Sequence, residues 1–329
     1  MLISFIVVAL NAHSSLPSLL EDLEHQRIPA SRVEVLLVDS CSRDDTREIM
    51  NGYAARSRYA VTVLDNPRRW LASGCNVALH AARGDRVIRL DAHARIPENF
   101  LARASELLDE GRDIVGGAVT SAPAEGTLAA VLTSLDASRF GGGAAPFRNQ
   151  GEAREVDTLA YAMYRMEVYR RVGDYDERLR RTEDNEIHYR MKKAGYRFYF
   201  DPSLSSFHAA RTTLSGMIRQ KWGNGLWVGR TLYIEPRCFA LRHFVPAMFV
   251  AALLLCGLLS PLTPLPLFCL LFVYLLLDLY FTVLAAVQSP RGKLAILLLD
   301  PFLFLLLHLC YGLGTLTGLL TPPQGWRTP

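Results

Sequence analysis

The last third of the chain decides how the rest can be arranged. After Arg242 the sequence carries almost no charge, and residues 244–262, 265–288 and 294–320 are apolar runs. Each is long enough to cross the ~30 Å hydrocarbon core of a bilayer as a helix. The preceding residues form ordinary globular sequence, with enough periodic apolar positions to bury a core of their own. Arg219, Lys221, Arg230, Arg237 and Arg242 gather just before the first run, and Arg291 and Lys293 separate the second from the third. Cations at those places put the N-terminal part and the second connection on the cytoplasmic side, with the uncharged 260–266 turn outside. The expected organisation is a cytoplasmic domain over 1–212, interfacial amphipathic helices over 213–242, and a three-helix transmembrane region over 243–329.

A net charge of +4 is modest in 329 residues. Its clustering beside the apolar runs suits anionic headgroups or pyrophosphate and not nucleic acid. The six cysteines show no C-x-x-C spacing, which argues against a zinc site or a disulfide framework. The opening LISFIVVAL is too short for a span and lacks a basic leader, so it reads as a first strand.

In the N-terminal part, strands and helices alternate. Residues 3–10 form a continuous β-branched run, as in a strand buried on both faces, followed by a polar loop from Asn11 to Ser15 and leucines at helical spacing. A second strand covers 33–38 and ends at Asp39, with a helix from about Thr46. A third covers 60–64, and a helix opens around Gly74 and Asn76. The run 86–90 then delivers Asp91. Such alternation predicts an α/β fold with a mostly parallel sheet and helices on both faces. Beyond it, the spacing predicts a helix over 97–111, a strand over 113–119 and a helix over 127–140. Residues 141–156, rich in glycine and polar groups, read as a loop without packed structure, acting as a flap over a site.

The stretch RVIRLDAHAR, residues 86–95, carries the first chemistry. In an open α/β sheet, ligands bind beyond the C-terminal ends of the strands, where Asp91 and His93 stand. If the backbone stays extended, the two side chains share a face and can converge on one divalent cation, Mn2+ or Mg2+, held with substrate phosphates. Taken alone, these residues describe first of all a strand end entering solvent.

The order of motifs is more specific. Asn11 after the first strand, EVLLVDSCSRDDT, NPRRWLASGCNVALHAARGD and LDAH resemble the family 2 glycosyltransferases, nucleotide-diphospho-sugar enzymes of the type-A fold, in their succinoglycan-type membrane branch. The resemblance implies that Asp39 accepts a hydrogen bond from a uracil ring. It also implies that Asn11, Gly74, Asn76 and Asp91 contribute to donor binding and that Asp91 with His93 holds metal and diphosphate. Ser40 and His93 stand where the family often has aspartates.

Acids recur in 172–177 and in TEDNEIHYR, 182–190. A run of acids at a helix start ordinarily complements the helix dipole. Transfer to a hydroxyl, however, needs a carboxylate to take its proton. By the resemblance that base is Asp184, supported by Glu183 and Glu186, and a single displacement inverts the anomeric centre. LSGMIRQKWGNGLW, 214–227, reads as a membrane-surface helix and loosely resembles a family motif over the acceptor, which implicates Gln220, Lys221 and Trp222.

The resulting expectation is a multi-pass enzyme of the bacterial inner membrane. It would move one sugar from a nucleotide diphosphate, UDP above all, to a polyprenyl-diphosphate-linked glycan in exopolysaccharide or envelope synthesis. The alternatives are a polyprenyl-phosphate sugar synthase, a processive polysaccharide synthase and an inactive nucleotide-binding scaffold. Within the apolar region, Asp278 and His308 are expected to face each other, because ionisable groups at that depth are usually paired.

Overall fold

The computed structural model describes residues 1–121, 126–142, 145–148, 151–208, 213–289 and 291–323. The chain forms two compact units, one of Met1–Thr120 with Pro146–Ala209, the other of Ser121–Ala145 with Ala210–Pro329.

The first unit is built from β1 (Ile3–Ala9), α1 (Leu16–Glu24), β2 (Val33–Asp39), α2 (Thr46–Arg56), β3 (Ala60–Asp65), α3 (Leu71–Ala81), β4 (Arg86–Asp91), β5 (Ala94–Arg95), α4 (Phe100–Asp109) and β6 (Ile114–Gly116). The short strand β7 (Val119–Ser121) leads to α5 (Thr127–Ala137), which belongs to the second unit. The chain then returns through β8 (Arg154–Val156), β9 (Met163–Arg165), α6 (Met166–Val172), α7 (Glu183–Lys193), β10 (Phe198–Phe200) and β11 (Ser206–His208).

Eight strands form one sheet in the order β3-β2-β1-β4-β9-β6-β10-β8, and β5, β11 and β7 form a second. The first four strands are parallel, whereas β9 runs antiparallel to both β4 and β6. β1 and β2 are buried along their whole length. Their alternate side chains therefore feed two cores. Phe5, Val7, Val35 and Leu37 face one, and Ile6, Val8, Leu36 and Val38 face the other. The register places Ala9 opposite Asp39, Asp39 opposite Asp65, and Val8 opposite Asp91, so these strands end almost level.

Several boundaries differ from the sequence pattern. α3 starts at Leu71, ahead of Gly74. The strand expected over 113–119 is broken into β6 and β7, which join different sheets. The helix expected over 127–140 stops at Ala137. Residues 141–156 are not wholly loop: Pro146–Arg148 makes a 3-10 turn, and β8 pairs with β10 at the sheet edge. The rest of that segment includes 143–144 and 149–150, which lie outside the described residues.

The second unit contains α5, α8 (Leu214–Thr231), α9 (Val245–Leu259), α10 (Leu265–Gln288) and α11 (Lys293–Leu320). α10 and α11 are long and apolar enough to cross a membrane. The expectation of three spans is corrected at the first: α9 holds 15 residues, about 22 Å of helix. It begins only at Val245 and yields to a turn at Ser260 and Pro261.

α8 is not a bare surface helix, because it lies along α11 on a seam of small residues. A methyl group on Gly225 would meet the Tyr311 carbonyl, one on Gly229 the Thr315 carbonyl, and one on Gly318 the Leu226 carbonyl. Close backbone approach through glycine is how helices pack where apolar burial gives no net drive.

The expected pairing of Asp278 with His308 does not form. His308 Nε2–H donates to the Phe140 carbonyl at 2.8 Å, and its Nδ1 lies 2.9 Å from the Tyr274 hydroxyl. Asp278 accepts from the Thr282 hydroxyl, and Asp300 from Ser134 of α5 at 3.0 Å. Local hydroxyls and a carbonyl exposed just past α5 thus take the roles assigned to a cross-helix ion pair. Sequence periodicity in the spans could not reveal this, because Ser134 and Phe140 come from elsewhere in the chain.

Gly225→Leu or Gly318→Leu should destabilise the second unit by ~1–3 kcal/mol or more through overpacking. Gly257→Leu in α9, where nothing lies within 4 Å of an added Cβ, should leave thermal unfolding in detergent nearly unchanged.

Candidate active site

The loops at the C-terminal rim of the parallel strands are held in unusual backbone. Among the described residues, Asn11, Cys41, Arg69, Tyr161 and Thr182 are the non-glycines with positive φ. The first three follow β1, β2 and β3, Tyr161 precedes β9, and Thr182 precedes α7. Left-handed conformations in such residues cost of order 1–3 kcal/mol each and tend to cluster at sites. Side-chain bonds hold the first of these turns. Asn11 Oδ1 accepts from Arg43 N at 2.8 Å, its own N–H donates to Ser42 Oγ at 3.0 Å, and Asp39 Oδ1 accepts from Ser42 N at 3.1 Å.

Asp39 is buried at the end of β2, and Asp91 lies two strands away on the same rim. Strand spacing puts them about 10 Å apart. Between β2 and β3, Asn66 is a hub that sequence reasoning passed over. Its N–H donates to the Asp39 carbonyl, its Nδ2 to Ser40 Oγ and the Trp70 carbonyl, and its Oδ1 accepts from Ser73 Oγ. Ser40 is a buried partner of this network. Gly74 is needed for space, since a Cβ there would lie 2.5 Å from Val8 Cγ1 and 3.0 Å from Asn66 Nδ2.

Asn76 uses its whole amide on the chain ahead of α7. Its Oδ1 accepts from Tyr175 N at 2.9 Å, and its Nδ2 donates to the Tyr175 carbonyl and to Glu177 Oε1, both at 3.0 Å. It therefore positions the acidic segment. Glu186, expected as a support, pairs with Arg190 Nε at 2.6 Å, and Arg190 also binds the carbonyls of Val172 and Asp174.

The strand ends at Asp91 and the chain turns through Ala92 and His93 into β5. The extended spacing expected for Asp91 and His93 is thus replaced by a turn. Ala92 is buried and His93 is exposed. Asp91 Oδ2 accepts from the Tyr161 hydroxyl at 3.2 Å. Burial, with the Asp91 carboxylate beside it, pushes this phenol well above its ordinary range, so its O–H remains a donor. On the opposing strand β11, His208 pairs in register with Ala94, and its Nε2 lies 3.5 Å from Arg148 Nη1.

Arg89, two residues before Asp91 on the same face of β4, was also not singled out by the sequence. Its Nη2 donates to Asp184 Oδ2 at 2.8 Å, and its Nη1 is 3.8 Å from Glu183 Oε1. The side chains of Arg89 and Glu183 are 12% and 8% exposed, that of Asp184 38%. A charged residue flanked by Ile88 and Leu90 in the middle of a strand was the available signal. Burial first, then the neighbouring Asp184, raises the Glu183 pKa to about 7, against the lowering effect of Arg89. His188, one turn further along α7, lies between Thr158 Oγ1 and the Tyr164 hydroxyl, each at 2.9 Å, and burial lowers its pKa to about 4. It is a neutral structural imidazole.

The residues assigned to the acceptor on α8 stand in the second unit. Lys221 is buried and its Nζ meets Asp136 Oδ1 of α5 at 3.1 Å; Gln220 and Trp222 flank it, and Trp222 is exposed.

Because Glu183 holds its proton more tightly in the folded state, the native protein binds more protons than the unfolded chain between pH 4.5 and about 7. Its contribution to stability therefore falls as pH rises through that window. Glu183→Gln should flatten this descent in unfolding curves taken from pH 5 to 8.

A family model described as glycosyl transferase family 2 matches residues 4–173. The succinoglycan biosynthesis protein ExoA of Rhizobium meliloti is 30% identical over 244 residues, 73% of each chain. A Methanococcus voltae enzyme, dolichyl N-acetyl-alpha-D-glucosaminyl phosphate 3-beta-D-2,3-diacetamido-2,3-dideoxy-beta-D-glucuronosyltransferase, is 24% identical over 328 residues, 97% of each chain. Among solved structures, the Pyrobaculum calidifontis mannosyltransferase PcManGT, in complex with GDP-Man and Mn2+, shares the fold with a TM-score of 0.61 at 19% identity, covering 94% of this chain and 86% of that one. The chain belongs to glycosyl transferase family 2, and it is a glycosyltransferase.

Proposed function

We propose that this enzyme moves a single sugar from a nucleotide diphosphate, UDP in the first instance, to a hydroxyl of a polyprenyl-diphosphate-linked glycan, inverting the anomeric centre. The observation that carries this reading is the state of Asp184. One carboxylate oxygen is held by Arg89, while among the described residues the other accepts no hydrogen bond, on a side chain that is 38% exposed. A half-held carboxylate is suited to receive the proton of an acceptor hydroxyl. Asp39 and Asn11 would take the base end of the donor, and Asp91 its diphosphate end, across the rim that separates them.

A divalent cation, Mn2+ or Mg2+, belongs to this reading. Among the described residues no three His, Cys, Asp or Glu side chains gather as a ready-made site. Asp91 with the exposed His93 instead suits an ion whose remaining ligands are phosphate oxygens and water. Such an ion supplies neutralisation of charge on the departing diphosphate. The Tyr161 hydroxyl, bonded to Oδ2, orients the Asp91 carboxylate.

The lipid acceptor is supported by the two long apolar helices and by the name of the dolichyl enzyme among the relatives. We place the protein in the bacterial cytoplasmic membrane, with residues 1–212 as the cytoplasmic catalytic part, 213–242 at the interface and 243–329 as the membrane region. Gln220, Lys221 and Trp222, with Glu183, serve the acceptor side.

Asp184→Asn should lower transfer by ~10²–10⁴-fold with donor binding retained, measured with labelled nucleotide sugars and a bacterial lipid extract. Full activity in that variant would sink the hydroxyl acceptor and favour transfer to a bare lipid phosphate, which needs no base. The nucleotide sugar consumed in a donor panel names the donor.

A further inference from the structure

Arg89 is a buried cation in the middle of a sheet. Both neighbours in sequence, Ile88 and Leu90, are fully buried apolar residues, and β4 lies between β1 and β9. A guanidinium so placed is tolerated only with carboxylates close by. Its donors are turned to one place. Nη2 bonds to Asp184 Oδ2, and Nη1 faces Glu183 Oε1 and the Cys75 sulfur, each at 3.8 Å. Asp184 stands in the first turn of α7, and Thr182 before it is left-handed. On an exposed helix start, an aspartate has staggered rotamers of similar energy, and the bond to Arg89 selects one of them.

We infer that Arg89 is a positioning residue for sugar transfer: by holding Oδ2 of Asp184 it fixes the orientation in which Oδ1 meets the acceptor hydroxyl. The inference rests on the reading of Asp184 as the base. In the transfer step the hydroxyl oxygen bonds to the anomeric carbon. The bond from that carbon to the diphosphate oxygen breaks, its electron pair leaving on the diphosphate. The hydroxyl proton passes to Oδ1 of Asp184. Nothing in the step requires Arg89 to touch substrate. Its part is geometric, and a misplacement of about 1 Å in such a group can cost ~10²-fold. It also links the two halves of the site, since β4 carries both Arg89 and Asp91 and so sets the base relative to the donor's diphosphate.

The test compares Arg89→Ala, Arg89→Gln and Arg89→Lys in the full-length protein in detergent, with melting curves and donor binding measured alongside transfer. For Arg89→Ala we expect kcat to fall ~100-fold with donor KM within threefold. Arg89→Lys should recover part of the loss, because a point charge reaches the carboxylate without the fixed fork. Millimolar ethylguanidine should partly restore Arg89→Ala but leave the Arg89→Ala/Asp184→Asn double variant unchanged. If the alanine variant does not fold, the glutamine and lysine variants carry the comparison. The inference is overturned if kcat stays within threefold of wild type, if donor KM rises in step with the loss, or if folded variants lose activity that neither lysine nor ethylguanidine restores. Should Asp184→Asn itself remain active, the base reading falls with it. An inactive Asp184→Asn beside an active Arg89→Ala overturns the positioning role alone.

Discussion

The ion pair between Arg89 and Asp184 fixes the chemistry-bearing end of the first unit. The pair ties the first turn of α7 to β4, and with Asp184 38% exposed its strength is reduced by solvent screening. The position of α7 is therefore set by the strand that the cation comes from. Other bonds hold the same segment: Asn76 grips Tyr175 and Glu177, and Arg190 grips the carbonyls of Val172 and Asp174. A stretch of 172–186 that is acidic and largely without strand or helix before Glu183 is thus ordered by polar contacts to α3, β4 and α7, not by a core of its own.

The donor side follows a different rule. β1, β2 and β4 end together because their apolar runs are of similar length and the parallel register is set by burial on both faces. Beyond that line the backbone takes left-handed turns at Asn11 and Cys41; Ser42 and Arg43 hold the first, and Asn66 bonds to the Asp39 carbonyl and Ser40 Oγ beside the second. The rigid sheet and the bonded loops together present Asp39 and Asp91 with little freedom. That is the preorganisation a site for a charged leaving group requires.

How much of this could be read from the sequence depends on how local its cause is. The four parallel strands and α1 were legible because continuous apolar runs and leucines at helical spacing state their burial directly, and the start of α7 was marked by its acids. The placement of Asp39 and Asp91 at strand ends and of Asp184 at a helix start was legible. Arg89 was not, because its meaning lies in residues 94 and 95 positions further on. The turn at Ala92 and His93 was hidden because nothing in D-A-H breaks a strand; the second sheet takes Ala94 and Arg95 away from the first. Likewise β8 carries Arg154 and Glu155, a composition of loops, and becomes a strand because β10 offers an open edge.

In the second unit the same limit has a sharper physical form. α11, with 28 residues, is about 42 Å long and exceeds the ~30 Å of a bilayer core. Its two halves are held differently. The stretch 300–308 carries Asp300, Pro301 and His308, with Ser134 donating to Asp300 Oδ2 and with the Phe140 carbonyl and the Tyr274 hydroxyl on the two nitrogens of His308. The C-terminal half carries Gly312, Gly314 and Gly318, which let the backbones of α8 and α9 approach closely. Hydropathy scores both halves alike, since leucine dominates each. The difference lies in what packs on each: α8 and α9 meet the glycine-bearing end, and α5 meets the part that carries Asp300.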